Sequence, residues 1–351
     1  MALSLTSLRD LDALGFEEVI DVRSPSEYAE DHLPCAVNLP VLDDDERARI
    51  GTIYVRDSRF KARRAGAALV ARNAAAHLEG HLADKGPGYR PLVYCWRGGQ
   101  RSGSFATILA QIGWRVEVLE GGYRSYRRLV QEALYQTPLA ARVLLLDGNT
   151  GTAKTELLAR LDGLGQQVID LEALANHRGS IFGRRSGGQP SQKAFESALA
   201  ARVVRLDPGR ALLLEAESSK IGGLSVPPSL WRAMQAAKRI EVTAPLPARA
   251  AYLARVYGTP AEATGGFAAA LEKLRVFHAA EVISDWQALL ARGAHAALAE
   301  RLMAEHYDPR YAKSRARKAG IVERIAMPDL SPQALDAAAA RIAAIAARAS
   351  A

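Results

Sequence analysis

Tyr94-Cys95-Trp96-Arg97-Gly98-Gly99-Gln100-Arg101-Ser102 follows the apolar segment Pro91-Leu92-Val93-Tyr94 and precedes Phe105-Ala106-Thr107-Ile108-Leu109-Ala110. The first flank reads as a buried strand and the second as a helix, so the cysteine falls between a strand end and a helix start. Backbone N–H groups converge at such a junction, and the helix dipole favours an anion there. The same field lowers a thiol pKa, and Arg97 and Arg101 add to it, which predicts a thiolate on Cys95 near neutral pH. Gly98 and Gly99 let the backbone curl around the sulfur, because glycine takes positive φ without steric cost. With Trp96, Gln100 and Ser102 they make a predicted cradle for a nucleophile and a small oxyanion. The competing reading is a buried core cysteine. Two glycines, two arginines and a serine in the seven following residues fit it poorly.

The residues around this loop carry a resemblance. Val19-Ile20-Asp21-Val22-Arg23-Ser24-Pro25-Ser26-Glu27-Tyr28, then Asp31-His32-Leu33-Pro34-Cys35-Ala36-Val37-Asn38-Leu39-Pro40, resembles the opening of a rhodanese domain. Glu120-Gly121-Gly122-Tyr123 after Val116-Glu117-Val118-Leu119 resembles its close. The resemblance implies that Cys95 carries sulfur or selenium as a persulfide or selenosulfide. A rhodanese loop has four residues between cysteine and arginine, whereas five separate Cys95 from Arg101. That spacing is similar to cysteine phosphatases and arsenate reductases, whose loops surround a tetrahedral oxyanion. The loop is therefore expected to accept a phosphate-sized donor such as selenophosphate. Cys35 stands where rhodaneses usually have glycine. It reads as a resolving thiol or, the reading favoured here, as a small buried residue.

Two cysteines in 351 residues, one of them in a reactive loop, point to a reducing compartment without structural disulfides. Met1-Ala2-Leu3-Ser4-Leu5 lacks a basic segment followed by an apolar core, and no uninterrupted apolar stretch is long enough to span a bilayer. The expectation is a cytoplasmic protein with no membrane partner.

A second cradle follows. Arg142-Val143-Leu144-Leu145-Leu146-Asp147 reads as a buried strand, Gly148-Asn149-Thr150-Gly151-Thr152-Ala153-Lys154-Thr155 comes next, and Glu156-Leu157-Leu158-Ala159-Arg160-Leu161 has helical spacing. Strand, glycine loop, Lys-Thr and helix form the context of a phosphate-binding loop. Its amides would wrap a diphosphate, Lys154 would neutralise charge, and Thr155 is placed to hold Mg²⁺. Ala153 replaces the glycine expected before the lysine. Either that position has negative φ or the loop is reshaped, and ATP hydrolysis does not follow from the pattern. Further on, Arg210-Ala211-Leu212-Leu213-Leu214-Glu215-Ala216-Glu217-Ser218 reads as a strand with an acidic end. Glu215 or Glu217 would place a carboxylate near a metal or an attacking water, the alternative being an exposed acidic turn. Between these strands, residues 168–183 read as an ordered surface loop. There Asp170 and Glu172 share no purpose, and His177 has no cysteine or histidine near enough for a metal site.

The chain's length and its 49% apolar content predict two domains, each with its own core. The boundary falls near Tyr135-Gln136-Thr137-Pro138, giving domains 1–135 and 136–351. Strands alternate with helices in both, so the fold class is α/β. A rhodanese-like domain precedes a P-loop NTPase-like three-layer α/β domain with a helical C-terminal part. Ser331-Pro332 opens an alanine-rich helix. A net charge of +8 points to a polyanionic partner. Arg310, Lys313, Arg315, Arg317 and Lys318, interleaved with Tyr307 and Tyr311, suit single-stranded RNA, with phosphates gripped and a base stacked. A solvated helix face is the alternative. A second basic group comprises Arg56, Arg59, Lys61, Arg63 and Arg64.

The rhodanese-like domain with its Cys-Trp-Arg-Gly-Gly loop is fused to a phosphate-loop domain that carries three further motifs. These are Asp170-Leu171-Glu172, Asn176-His177-Arg178-Gly179 and His306-Tyr307-Asp308-Pro309. Together they resemble the bacterial tRNA 2-selenouridine synthases over nearly the whole chain. The resemblance implies a two-step exchange on tRNA bearing 2-thiouridine at the wobble position. Geranyl diphosphate alkylates the sulfur, and the geranylthio group is then displaced using selenophosphate to give 2-selenouridine. Cys95 would serve the selenium step, and the loop from Gly148 to Thr155 would hold the diphosphate. No tightly bound cofactor is expected, with Mg²⁺ at Thr155 left open, and an enzyme that supplies selenophosphate is an expected partner. The residues leave the apolar slot for the geranyl chain unlocated. Two other classes stay open. A rhodanese-type sulfurtransferase coupled to an ATP-dependent P-loop activating domain would show ATP turnover requiring Lys154. A non-catalytic tRNA-binding or partner-binding protein would be indifferent to Cys95→Ser and Lys154→Ala.

Overall fold

In a computed structural model of the chain, residues 2–257, 266–315 and 320–350 are described. The polypeptide forms two compact units, residues 1–137 with 190–205, and residues 138–189 with 206–351. In the first unit, β1 (Ala2–Leu3), β2 (Glu18–Asp21), β3 (Ala36–Asn38), β4 (Pro91–Tyr94) and β5 (Glu117–Leu119) form one sheet in the order β1-β5-β4-β2-β3. Every pairing is parallel. Parallel neighbours need crossover connections that cover both sheet faces, and the fully buried Pro-Leu-Val-Tyr of the inner strand β4 matches that demand. Ile20, Val22, Val93, Phe105 and Leu109 centre its core. The basic group at 56–64 lies on two successive helices, Asp44–Arg56 and Arg59–Glu79, with its side chains exposed.

The expected second domain, 136–351, needs correction, because residues 190–205 return to the first unit. The reason is polar. Asp31 and Glu196 are 3% and 1% exposed, and buried carboxylates require partners. Asp31 Oδ2 accepts hydrogen bonds from Tyr123 Oη at 2.8 Å and from Ser197 Oγ at 2.7 Å. Glu196 pairs with Arg127 and accepts from Tyr135 Oη at 2.7 Å. Helix Gln192–Val203 is thus bound to the first unit by groups that its own periodicity does not reveal.

In the second unit, β6 (Val143–Asp147), β7 (Gln167–Val168), β8 (Leu212–Glu215), β11 (Lys238–Thr243) and β12 (Ile321–Ala326) pair in parallel in the order β12-β11-β6-β8-β7. A small antiparallel hairpin, β9 (Lys220–Ile221) and β10 (Leu224–Ser225), stands apart from this sheet. Leu146, Leu213, Ile240 and Val242 from the sheet pack with Leu157 and Leu161 of helix Lys154–Gly163 and with Leu335 and Ile342 of helix Pro332–Ser350. Ser331 Oγ accepts from Ala334 N at 3.3 Å, as its N-cap position requires. A helical region builds a satellite core around Leu271, Ile283, Trp286 and Leu298. Among the described residues, no helix is long and apolar enough to cross a membrane.

Removing one member of a buried ion pair leaves the other charge unpaired. Glu196→Ala is therefore expected to destabilise the first unit by about 3 kcal/mol. Urea unfolding followed by hydrogen exchange in β2 and β4 measures it, and an unchanged midpoint would contradict the role given to helix Gln192–Val203.

Candidate functional site

The Cys95 loop leaves β4 at its C-terminal end and feeds helix Gln100–Gln111, where parallel sheets present their ligands. Cys95 is 4% exposed, and Ser102 Oγ lies 3.1 Å from its sulfur as a hydrogen-bond donor. Burial pushes the thiol up. The Ser102 hydroxyl, the backbone N–H groups of Ser102 and Arg97, and the charge of Arg101 outweigh it, so the pKa lies below the usual thiol value. Two glycines make this loop sterically feasible. Gly98 has φ +64°, and Gly122 has φ +57° with a virtual Cβ only 2.2 Å from the Cys95 carbonyl oxygen. Their absent side chains let Tyr123 N donate to Cys95 O at 2.9 Å and Arg124 N to Trp96 O at 3.1 Å.

Arg101 is held by Glu27, with Nη1–Oε2 at 2.7 Å and Nη2–Oε1 at 3.3 Å. Trp96 is half-buried, while Arg97, Gly99 and Gln100 are exposed. Sequence reasoning assigned no role to Arg23, which is fully buried beside the loop. It pairs with Asp21 at 2.6 Å, and its guanidinium lies 4.1 Å from the Tyr123 ring and 5.9 Å from the Trp96 ring. A cation boxed by aromatics beneath the loop fixes Trp96. The favoured reading of Cys35 as a small buried residue is overturned. It is exposed at φ +61°, a glycine-type backbone position, and its thiol is free.

The phosphate loop leaves β6 and opens helix Lys154–Gly163. Of the two alternatives for Ala153, negative φ is excluded, since it adopts φ +57° and ψ 32°. The left-handed conformation costs an alanine roughly 1–2 kcal/mol. Gly148 admits no side chain, because a Cβ there would lie 2.6 Å from Thr152 Oγ1 and 2.7 Å from Val242 O. Lys154 Nζ donates to Gly148 O at 3.1 Å and to Asn149 O at 3.4 Å. Burial pulls its pKa down, but Tyr311, Glu215, Glu217 and Glu172 together raise it, which keeps the ammonium charged. Arg249 ties the loop to the helical region by donating to Thr150 O at 3.1 Å and pairing with Asp308 at 2.6 Å.

Around Lys154 the structure assembles a group that sequence reasoning saw only in part. One carboxylate oxygen each from Glu172, Glu215 and Glu217 lies within 4.8 Å of the others. The expected surface loop at 168–183 is corrected here. Asp170 caps helix Leu171–Leu174 by accepting from Ala173 N at 2.8 Å, and Glu172 turns inward to 7% exposure. Gly179, at φ +64°, lets the chain close over them, since a Cβ would lie 2.6 Å from Glu172 Oε1. Burial raises the pKa of both Glu172 and Glu215; repulsion from Glu215 and Glu217 adds to it at Glu172, whereas at Glu215 the Lys154 charge opposes it and repulsion from Glu217 adds to it. The exposed acidic turn is excluded for Glu215, which is 3% exposed with Oε1 lacking a hydrogen-bond partner. Thr155 Oγ1 lies 3.5 Å from Glu172 Oε2. An all-oxygen donor set with an orphaned carboxylate oxygen suits a hard cation such as Mg²⁺.

An apolar cavity of about 640 Å³, its mouth included, has Thr150 of the phosphate loop on its wall. Phe182, Leu253, Phe267, Leu298 and Met303 line it, and the two phenylalanine rings stack at 5.1 Å. The expected RNA stripe looks different in place. Tyr307 lines this cavity, and half-buried Tyr311 lies near enough to Lys154 to influence its charge. Arg310 is exposed and stacks at 3.9 Å over Phe277, and Lys313 is exposed. Arg317 and Lys318, and the side chain of Arg315, lie outside the described residues.

Residues 4–129 match the rhodanese-like domain family, and residues 141–280 match the family described as tRNA 2-selenouridine synthase AAA domain. Over 247 residues the chain is 42% identical to a Hahella chejuensis protein named tRNA 2-selenouridine synthase, covering 68% of this chain and 63% of that protein. It is 36% identical over 234 residues to a protein of that name from Shewanella loihica, covering 66% and 62%. A third, from Cupriavidus pinatubonensis, is 34% identical over 345 residues, covering 87% and 90%. The match thus spans just under two thirds of the length of the first two relatives.

Ser102→Ala, made in a Cys35→Ser background, removes the side-chain donor to the Cys95 sulfur. The midpoint of the pH profile for iodoacetamide alkylation is expected to move upward. A profile that stays in place would show that Ser102 does not hold the thiolate.

Proposed function

Because the chain belongs to the tRNA 2-selenouridine synthase family, we propose that it exchanges sulfur for selenium at the wobble 2-thiouridine of tRNA in two steps, alkylation by geranyl diphosphate and displacement by selenium from selenophosphate. The observation that carries the geranyl reading is the apolar cavity bordered by Thr150. A ligand with a diphosphate head and a branched hydrocarbon tail needs such a cavity beside such a loop, and ATP has no tail to fill it.

In the first step the thione sulfur attacks the allylic carbon of geranyl diphosphate, and the carbon–oxygen bond breaks. Charge then grows on the departing diphosphate. The loop amides and Lys154 sit where they stabilise that charge, and Lys154 exchanges its resting contacts with Gly148 and Asn149 carbonyls for phosphate oxygens. Thr155, Glu172, Glu215 and Glu217 would hold Mg²⁺, which when bound supplies further charge neutralisation. Phe182, Leu253 and Leu298 shield the hydrocarbon from water. Alkylation turns a poor leaving group into a thiol that departs readily, and it activates the ring carbon for selenium. Cys95, with the donors of its loop, serves that second step, and the loop's amide array suits the phosphate of selenophosphate.

The test is nucleoside mass spectrometry after incubation with 2-thiouridine tRNA. Geranyl diphosphate alone should give the geranylated nucleoside, and added selenophosphate the selenated one. Lys154→Ala should lower the first step at least ~100-fold, whereas Cys95→Ala should stop only the second. Leu298→Trp, which fills the cavity, should raise the KM for geranyl diphosphate about 10-fold or more. ATP turnover that requires Lys154, with tRNA left unmodified, would instead favour the sulfurtransferase reading.

The raised pKa values of Glu172 and Glu215 carry a sign. Both carboxyls retain protons above the usual carboxylate range, and a cation must displace those protons to bind. Mg²⁺ affinity should therefore rise with pH, and Mg²⁺ addition near neutral pH should release protons to an indicator dye. Glu215→Gln should reduce that release, and identical release would remove Glu215 from the ligand set.

A further inference from the structure

Beside the Cys95 loop the first unit carries an open groove, about 1250 Å³ with its mouth included. Trp96 and Arg97 from the loop, Arg124, Arg127 and Arg128 from helix Tyr123–Gln131, and Lys193 line it. The helix residues at 124, 127 and 128 share one face by their spacing. Two of these five cations are already neutralised, Arg127 by Glu196 and Lys193 by Glu30. Arg97, Arg124 and Arg128 are exposed and have no ion-pair partner among the described residues. Their charge is open to solvent and to a ligand.

Trp96 is half-buried, tilted against Tyr123 at 5.2 Å, and backed by the Arg23 guanidinium. Its carbonyl accepts from Arg124 N, so the ring and the arginine helix are set in one frame. A rigid aromatic among unpaired arginines is the combination that binds single-stranded nucleic acid, with phosphates on the cations and a base on the ring. A duplex fits less well, because its bases are stacked away and its major groove is too narrow for side chains. A lone oxyanion needs no groove of this size, since the cysteine loop supplies its own donors.

We propose that this groove is the dock for the tRNA anticodon loop, with Arg124 and Arg128 on its phosphates and Trp96 stacking on an unstacked base beside Cys95. The proposal rests on the tRNA-modifying reading above and assigns the RNA to a surface distinct from the stripe near Arg310.

The test uses the full chain and an anticodon stem-loop RNA carrying 2-thiouridine. Anisotropy should show the Arg124→Gln, Arg128→Gln double variant binding about 10-fold or more weaker, with the log–log salt slope shallower by roughly 1.4 for two lost single-strand phosphate contacts. Titration should quench tryptophan emission in the wild type. Trp96→Phe should lose most of that quench while Trp114, Trp231 and Trp286 remain. Circular dichroism and the Cys95 alkylation profile of the double variant should match wild type, which separates a docking loss from misfolding. Unchanged affinity and slope in a double variant that still modifies tRNA would overturn the groove and leave the functional reading standing. A wild-type protein that ignores both stem-loop and tRNA would overturn both. Equal losses on a blunt RNA duplex would overturn the single-strand assignment. Intact RNA binding with a defect only when selenophosphate is delivered by its supplying enzyme would overturn it too, and give the groove to an acidic protein.

Discussion

Glu172, Glu215 and Glu217 share a space that repulsion between like charges would forbid if cations and protons did not answer it. Parallel pairing sets Glu215 of β8 opposite Leu146 of β6, which places the carboxylate level with the root of the phosphate loop. Gly179 admits the chain that closes over the cluster, and the short helix capped by Asp170 turns Glu172 inward. The loop's shape, its tethered lysine and the segment at 168–183 all answer to that crowding. Separately, Arg249 bonds the loop at Thr150 O and pairs with Asp308 of the helical region.

The first unit solves the opposite problem. Around Cys95 it gathers donors, Ser102 and two backbone amides, with Arg101 adding charge. The carboxylates nearby are engaged by arginines rather than by the sulfur, Glu27 by Arg101 and the buried Asp21 by Arg23. One site accumulates negative charge and waits for a cation, while the other accumulates positive potential and waits for an anion. The two-step transfer proposed above, with a diphosphate leaving group and then an anionic selenium donor, would use both kinds of place.

Both strand-loop-helix cradles were legible because each is continuous in sequence, so a short window contains the strand, the glycines and the helix start. What stayed hidden is assembled from distant segments. Glu172 reads as a loop residue until β8 brings Glu215 beside it. Helix Gln192–Val203 has no sequence mark of its attachment, which depends on Asp31 and Arg127 far upstream. Ala153 takes a backbone angle that its residue type argues against, since neighbouring loop geometry outweighs a penalty of roughly 1–2 kcal/mol. Residue spacing also gave no sign that Tyr307 would line the apolar cavity or that Tyr311 would come near Lys154.

The two thiols occupy opposite chemical niches within one small unit. Cys35 is exposed on a strained turn, and Cys95 is buried among donors. Reagents that depend on access will reach Cys35 first, and reagents that depend on anionic character and a matching cavity will select Cys95. The protein therefore sorts bulky labels from small oxyanions without any further device. A fluorophore or spin probe attached at Cys35 can report on this unit while the reactive sulfur stays unmodified.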